Sequence, residues 1–311
     1  MNYSMELSHK TMNPKKIKYF RNQDRVALIS KLTSIYTALT ASDMQTGLSL
    51  VRNLLKEYHP EKPIPDSTIV NTITLRIYTL GRFSVVHKDK LIVFRGKAQK
   101  RPMDLLKAII ALGGRGVSKS LLTELLWPDS QGDAAASVIN TTLSRLRKLI
   151  GKQSIVTENG RVSLNRMYCD VDCWELERLL NLGKKSQQPQ KKTIDAIYKI
   201  YQGDFMSGEQ DGWLIPKRNK LRYKLIMLLS SYGKLLIKSN DIKEACSIYE
   251  TCIGLDHVRE EFHMNLVRCQ ILLNQTSDAK FSYLRCERML MSNLGIQPTT
   301  SYAKICESFS G

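Results

Sequence analysis

The segment Ala136-Ser-Val-Ile-Asn-Thr-Thr-Leu-Ser-Arg-Leu-Arg-Lys-Leu-Ile150 carries hydroxyls, an amide and three bases, and no carboxylate. Wound as a helix at about 100° per residue, it places Ile139, Leu143, Leu146 and Ile150 on one side, which predicts a buried stripe. Ser137, Thr141, Ser144 and Lys148 fall opposite, with Arg145 on one flank and Arg147 on the other. A solvated helix face ordinarily mixes acids with bases, because opposite charges four residues apart stabilise it. Short hydroxyls and long bases without an acid instead suit a polyanion. In a DNA major groove Ser and Thr reach base edges or phosphates, and Arg pairs bidentately with guanine. A merely solvated face is the competing reading of the same residues. Arg147, on the other flank from Arg145, suits packing or a phosphate better than a base.

Such a helix needs a frame, and the flanking sequence supplies the parts. Residues 73–78 and 82–87 alternate apolar and polar, and a further strand over 91–94 follows the turn Lys88-Asp-Lys90. Residues 102–112 and 119–126 have helical spacing, separated by Gly113-Gly-Arg-Gly116, with Ser118 as the cap of the second. The helix described above follows Gly132-Asp133. Residues 154–164 then read as a hairpin, since Asn159-Gly160 between alternating runs favours a two-residue turn. Arg161, directly after the tip, is carried beside the helix, within reach of a minor groove or a phosphate.

Charge is distributed accordingly. Of a formal +18, residues 73–171 hold 17 Lys and Arg against 7 Asp and Glu, whereas residues 191–311 hold 17 against 13. An excess concentrated in one segment is expected of a module that meets a polyanion. No apolar run approaches the roughly 18–20 residues of a membrane span, and the N-terminus lacks the order of a signal peptide, so no membrane partner and a cytoplasmic location are expected. The seven cysteines form no CxxC pair and predict reduced, buried thiols rather than a metal site. Gly113-Gly-Arg-Gly-Val-Ser-Lys-Ser120 comes within one residue of a P-loop, but Ser118 replaces its second glycine and a helical pattern precedes it. His257 and His263 read as structural. With no catalytic constellation elsewhere, the chain is expected to be no enzyme and to need no cofactor.

Outside this middle segment, residues 1–22 read as a flexible N-terminus, residues 23–58 as a helical hairpin, and residues 59–72 as a linker containing His59-Pro-Glu-Lys-Pro-Ile-Pro-Asp66. A helix over 172–183 and a polar linker over 184–192 precede a helical remainder. There Asn240, Ala245 and Tyr249 recur as Asn274, Ala279 and Tyr283, 34 residues on, the period of a tetratricopeptide-like helix pair.

Leu80-Gly-Arg-Phe83, Gly96-Lys-Ala-Gln99, Leu125-Leu-Trp-Pro-Asp129, Gly132-Asp-Ala134, Leu143-Ser-Arg-Leu-Arg147 and Val171-Asp-Cys-Trp174 occur in an order that resembles the OmpR-type winged helix, and more closely the SARP family of bacterial transcriptional activators. Tyr201-Gln-Gly-Asp-Phe205, Gly212-Trp-Leu-Ile-Pro-Lys-Arg218, Glu260-Glu-Phe-His263 and Leu294-Gly-Ile-Gln-Pro298 resemble the bacterial transcriptional activation domain that accompanies it. One departure is that many OmpR-type wings carry a Gly-Tyr pair after the tip, where this chain has Gly160-Arg-Val-Ser-Leu164. The resemblance implies a mainly α chain: a winged helix-turn-helix (α+β) domain over residues 73–171 and an all-α tetratricopeptide-like domain over residues 172–311. It further implies a sequence-specific regulator of the activator type, bound to double-stranded promoter DNA at direct repeats by side-by-side protomers, with a homodimer and RNA polymerase as partners. In related winged helices the loop before the recognition helix faces polymerase, so Asp129 and Asp133 become candidates for that contact; Asp133 equally suits an N-cap, and Trp127 the core. Truncation after Lys184 is then expected to keep DNA binding and lose activation. The alternatives are a tetratricopeptide-type interaction adaptor, or the C-terminal effector part of a larger multidomain regulator.

Overall fold

The computed structural model describes residue 31 and residues 73–93, 97–185 and 189–308. The N-terminus, hairpin and linker expected over residues 1–72 lie outside the described residues, apart from Lys31. Contacts divide the chain into residues 1–72 and residues 73–311, and the description below is of the second unit.

Strand β1 (Leu75–Tyr78) pairs antiparallel with β2 (Ser84–His87), Leu75 opposite His87. Lys88 and Asp89 both take positive φ, 49° and 59°, the left-handed turn that returns the chain into β3 (Lys90–Leu91). The expected strand over 91–94 thus begins one residue earlier and ends after Leu91. Both β3 residues are exposed at the sheet edge, so no burial extends the pairing. On the other side β7 (Cys169–Val171) lies parallel to β1, giving the order β3-β2-β1-β7. Three residues are too few for their alternation to stand out in sequence.

Three helices follow the first strands: α1 (Lys97–Ala111), α2 (Lys119–Leu126) and α3 (Gly132–Ile150). Helix α1 was expected to open at residue 102, because proline favours a first turn; it starts earlier and takes Pro102 into its interior. The apolar run that follows, with Leu105, Leu106, Ile109 and Ile110 fully buried, offsets the hydrogen bond that Pro102 cannot make. Ser118 occupies the cap position of α2 without a side-chain bond. The glycine turn before it follows a helix, so the strand-loop-helix frame of a phosphate cradle is absent there. A second sheet, ordered β4-β6-β5, joins β4 (Val117–Ser118) to the hairpin of β5 (Ile155–Glu158) and β6 (Arg161–Leu164). Its tip residues Asn159 and Gly160 have φ of 47° and 71°, the two-residue turn read from the sequence.

The rest is helical: α4 (Asp172–Lys185), α5 (Lys191–Ile200), α6 (Ile215–Lys238), α7 (Ile242–Leu255), α8 (Glu260–Leu272), α9 (Thr276–Leu294) and α10 (Tyr302–Glu307). Helix α4 runs two residues into the segment expected as linker, and α5 begins before that linker was expected to end. The 34-residue repeat has a physical basis. Asn240 and Asn274 take the left-handed conformation, φ 63° and 58°, at the turns after α6 and α8. Ala245 and Ala279 are fully buried. Tyr249 fills the space over Gly233, where an added Cβ would stand 2.9 Å from its ring. In the second copy Val267 stands 34 residues after Gly233, and Tyr283 is less deeply buried than Tyr249, 8% against 0% exposed.

A single hydrophobic core runs from Leu75 in β1 to Cys269 in α8. The Asp172 carboxylate accepts from the Thr79 and Leu80 amides and from the Thr79 hydroxyl, at 2.6–3.0 Å. The Gly81 amide donates to Asp204, and the Met206 amide donates to Thr79. Leu80 and Phe205 form a bridge between these segments, and Phe205 and Met206 are buried beneath it. The winged part and the helical part are therefore tied together through backbone and core. All seven cysteines are free and buried or half-buried. Burial pushes the Cys169, Cys173 and Cys252 thiols up to about 12.

Candidate nucleic-acid interface

The α3 stripe is buried as its spacing requires: Ile139, Leu143, Leu146 and Ile150 are at most 1% exposed. Thr142 joins them and returns its hydroxyl to the Val138 carbonyl at 2.8 Å. Ser137, Thr141, Ser144, Arg145 and Lys148 are all exposed. Among the described residues none of these five has a side-chain hydrogen bond or ion pair. Their donors and acceptors are free for an external partner.

Arg147 behaves differently from Arg145 because the wing stands on its flank. Its guanidinium donates to the Thr157 hydroxyl on β5 at 2.6 Å and to the Ile155 carbonyl at 3.4 Å, and the residue is half-buried. The packing role read from its position on the helix is the one the structure gives it. Arg161 is exposed just beyond the hairpin tip, and its guanidinium donates to the Gly116 carbonyl at 2.9 Å. That bond spends one donor of five and aims the remainder outward.

Two residues of this surface were not singled out from the sequence. The Lys119 amide donates to the Gly160 carbonyl at 2.9 Å, and its ammonium donates to Asn140 on α3 at 2.8 Å. Lys119 thus joins hairpin tip, α2 and α3. In sequence it belongs to the near-miss P-loop, which drew attention to its glycines instead. Asn140 is exposed beside the outer face, one position after the buried Ile139. Only the position of the wing shows that its flank is occupied.

The loop before α3 carries Asp129, which is exposed, and Asp133, also exposed. Asp133 is the second residue of α3 and Gln131 holds the cap position, without a side-chain bond, so the N-cap role weighed for Asp133 is not what it does. A carboxylate in a first turn still complements the helix dipole. Trp127 is half-buried and packs on the core.

The Val171-Asp-Cys-Trp174 motif proves structural. Asp172 caps the end of β1, as above. Trp174 packs so closely on the glycine turn that a Cβ on Gly114 would stand 2.6 Å from its ring, while the Arg166 guanidinium lies 4.5 Å over that ring. Burial lowers the basicity of Arg166, and the neighbouring Arg115 lowers it further. The turn between α1 and β4, against which the wing rests through the Leu164 amide and the Gly114 carbonyl, is thereby held in place.

With this geometry in view, the comparisons with known proteins are specific. Residues 171–307 match the bacterial transcriptional activator domain. The chain is 22% identical over 253 residues to the regulatory protein AfsR of Streptomyces griseus, covering 79% of this chain and 25% of that protein. It is 20% identical over 219 residues to AfsR of Streptomyces coelicolor, covering 68% of this chain and 22% of that protein. The chain therefore spans about a quarter of the length of these relatives. Among solved structures it is similar to Mycobacterium tuberculosis EmbR in complex with a low affinity phosphopeptide, with a TM-score of 0.59 at 17% identity, over 75% of this chain and 64% of that one. That likeness establishes a shared fold, mainly helical with a small β region ahead of the all-α part. By its activator domain, its relatives and this fold, the chain belongs to the SARP family of bacterial transcriptional activators.

Proposed function

We propose that the chain binds double-stranded promoter DNA in a sequence-specific manner and activates transcription. Helix α3 lies in the major groove, the β5–β6 hairpin clamps its flank, and the helical part over residues 172–311 carries the activating contacts. One observation carries this reading. The outer face of α3 presents Ser137, Thr141, Ser144, Arg145 and Lys148 exposed, without an acid from Ala134 to Ile150, beside a wing that holds Arg161 at its edge. Such a face suits a groove lined by phosphates and base edges better than it suits water.

In this reading Arg145 and Ser144 read bases, while Lys148, Thr141, Ser137 and Arg161 hold the backbone. Arg147 sets the wing and reaches at most a phosphate. Asp129 and Asp133 face RNA polymerase from the loop and first turn next to the recognition helix. Two protomers lie side by side on direct repeats as a homodimer, and the chain works in the cytoplasm, where promoter and polymerase are. Among the described residues no helix is long and apolar enough to cross a membrane.

The test is a salt series on promoter duplex combined with genome-wide mapping of bound sites. About 6 to 10 phosphate contacts should cost ~10³ to 10⁵ in affinity between about 50 and 200 mM salt. A salt-flat affinity, or mapped sites with no shared motif, would leave the chain an interaction adaptor rather than a DNA reader.

A further inference from the structure

On α7, α8 and α9, away from the α3 face, the fold encloses a cavity of about 570 Å³. Its floor is apolar where Leu266 lines it, and it also holds the side chain of Gln270. The Gln270 Oε1 atom is buried and has no hydrogen-bond partner among the described residues. A buried acceptor left unpaired costs about 1–3 kcal/mol, so an N–H brought by a ligand would remove a standing penalty. Phe281, 61% exposed, stands at the rim.

The charged groups lining this cavity balance in a particular way. Lys243 and Glu250 come from α7, and Asp278 and Arg285 from α9. Among the described residues none of the four is in an ion pair. Helices α7 and α9 are equivalent members of the two 34-residue copies. By that register Lys243 and Asp278 sit within one position of each other, as do Glu250 and Arg285. Each end of the cavity thus offers one acid and one base, and the seven-residue separation sets the ends about 10 Å apart along the helices. An extended chain gains at most ~3.3–3.6 Å per residue, so a free ammonium and a free carboxylate at that spacing describe a peptide of about three residues.

We propose that this cavity binds a short peptide with free termini, of the tripeptide class. Its ammonium is taken by the acid at one end, its carboxylate by the base at the other, a backbone N–H by Gln270 Oε1, and a side chain by Phe281 and the apolar floor. A volume of this size is ordinary for a small-molecule site. The proposal is independent of DNA recognition and goes beyond it.

Cys246 lines the same cavity and supplies the reporter. A hydrogen bond with Cys269 holds its thiol below the usual thiol range, so it alkylates while the deeply buried thiols stay protected. The full chain, without DNA, would be treated with iodoacetamide in the presence of pooled tripeptides at about 10 mM total, and Cys246 modification and thermal unfolding followed. Pools with free termini should slow Cys246 modification and raise Tm. The same pools acetylated at the N-terminus and amidated at the C-terminus should do neither. Glu250→Gln and Lys243→Met, both at exposed positions, should each weaken binding by about tenfold or more at unchanged Tm without peptide. Gln270→Leu should leave the free protein at least as stable and still lower affinity about tenfold. Equal protection by capped and free pools, protection by single free amino acids alone, no protection by any pool, or unchanged affinity in Gln270→Leu would each overturn the proposal.

Discussion

At the residue scale, Arg145 and Arg147 show how two neighbours of one type divide their work. Arg145 is exposed and unpaired, whereas Arg147 is spent on Thr157. Arg147→Ala should therefore lower stability by about 0.5–1.5 kcal/mol, the worth of a part-buried hydrogen bond. Thr157→Val should do the same, and the double variant should fall well short of the sum, as a double-mutant cycle on thermal unfolding would show. Arg145→Ala should leave Tm unchanged. The buried stripe and the outer face of α3 were legible in sequence because helical arithmetic needs only local spacing. The partner of Arg147 was not, since it sits on a separate strand ten residues away. A buried histidine adds a pH signature. Burial, and then the nearby Arg285, hold His263 below its ordinary 6.5. The unfolded chain therefore takes up the proton first, and stability should fall as pH drops through about 6.5 toward the folded value. His263→Gln should flatten that part of the pH profile in chemical denaturation.

At the scale of elements, the wing depends on a glycine turn braced by Trp174. Gly114→Ala meets two obstacles, a φ of +73° and the Trp174 ring 2.6 Å from the new Cβ. Gly160→Ala at the hairpin tip meets only the first, φ +71° with open space around it. The tip variant should cost about 1 kcal/mol and the turn variant clearly more, since strain there adds to overpacking. Equal losses in urea unfolding would show that Trp174 does not brace the turn. The hairpin was legible because Asn159-Gly160 sets a backbone conformation that few residue pairs can adopt. Strands β4 and β7 were not, because their pairing comes from partners 40 to 90 residues away, as in Val117 with Val162 and Leu75 with Cys169. Helix α1 shows the limit of a local rule: proline at a first turn is the usual choice, yet a fully buried apolar run carries Pro102 inside.

For the whole molecule, the shared core changes what truncation should do. A chain ending after Lys184 was expected to keep DNA binding. It would lose Phe205 and Met206 from the core, the acceptor of the Gly81 amide, and the Glu209 carboxylate that pairs with Lys107 at 2.6 Å. Deleting large buried side chains costs several kcal/mol each, about 2–5 in typical cores, against total stabilities of about 5–15 kcal/mol. Such a truncation should lose cooperative unfolding, and with it DNA binding. The repeat period was legible, because Asn, Ala and Tyr each serve a packing need that recurs. The coupling of the two halves was not, since it rests on backbone hydrogen bonds between segments whose side chains give no sign of it.

The account turns on whether the outer face of α3 reads DNA sequence. The most direct test is the affinity of the wild-type chain and of Arg145→Ala for a mapped site and for a random duplex of the same length at fixed salt. The account predicts unchanged Tm, a loss on the mapped site of about 1–3 kcal/mol, and a much smaller loss on random DNA. Equal affinity of the two proteins for both duplexes would contradict it.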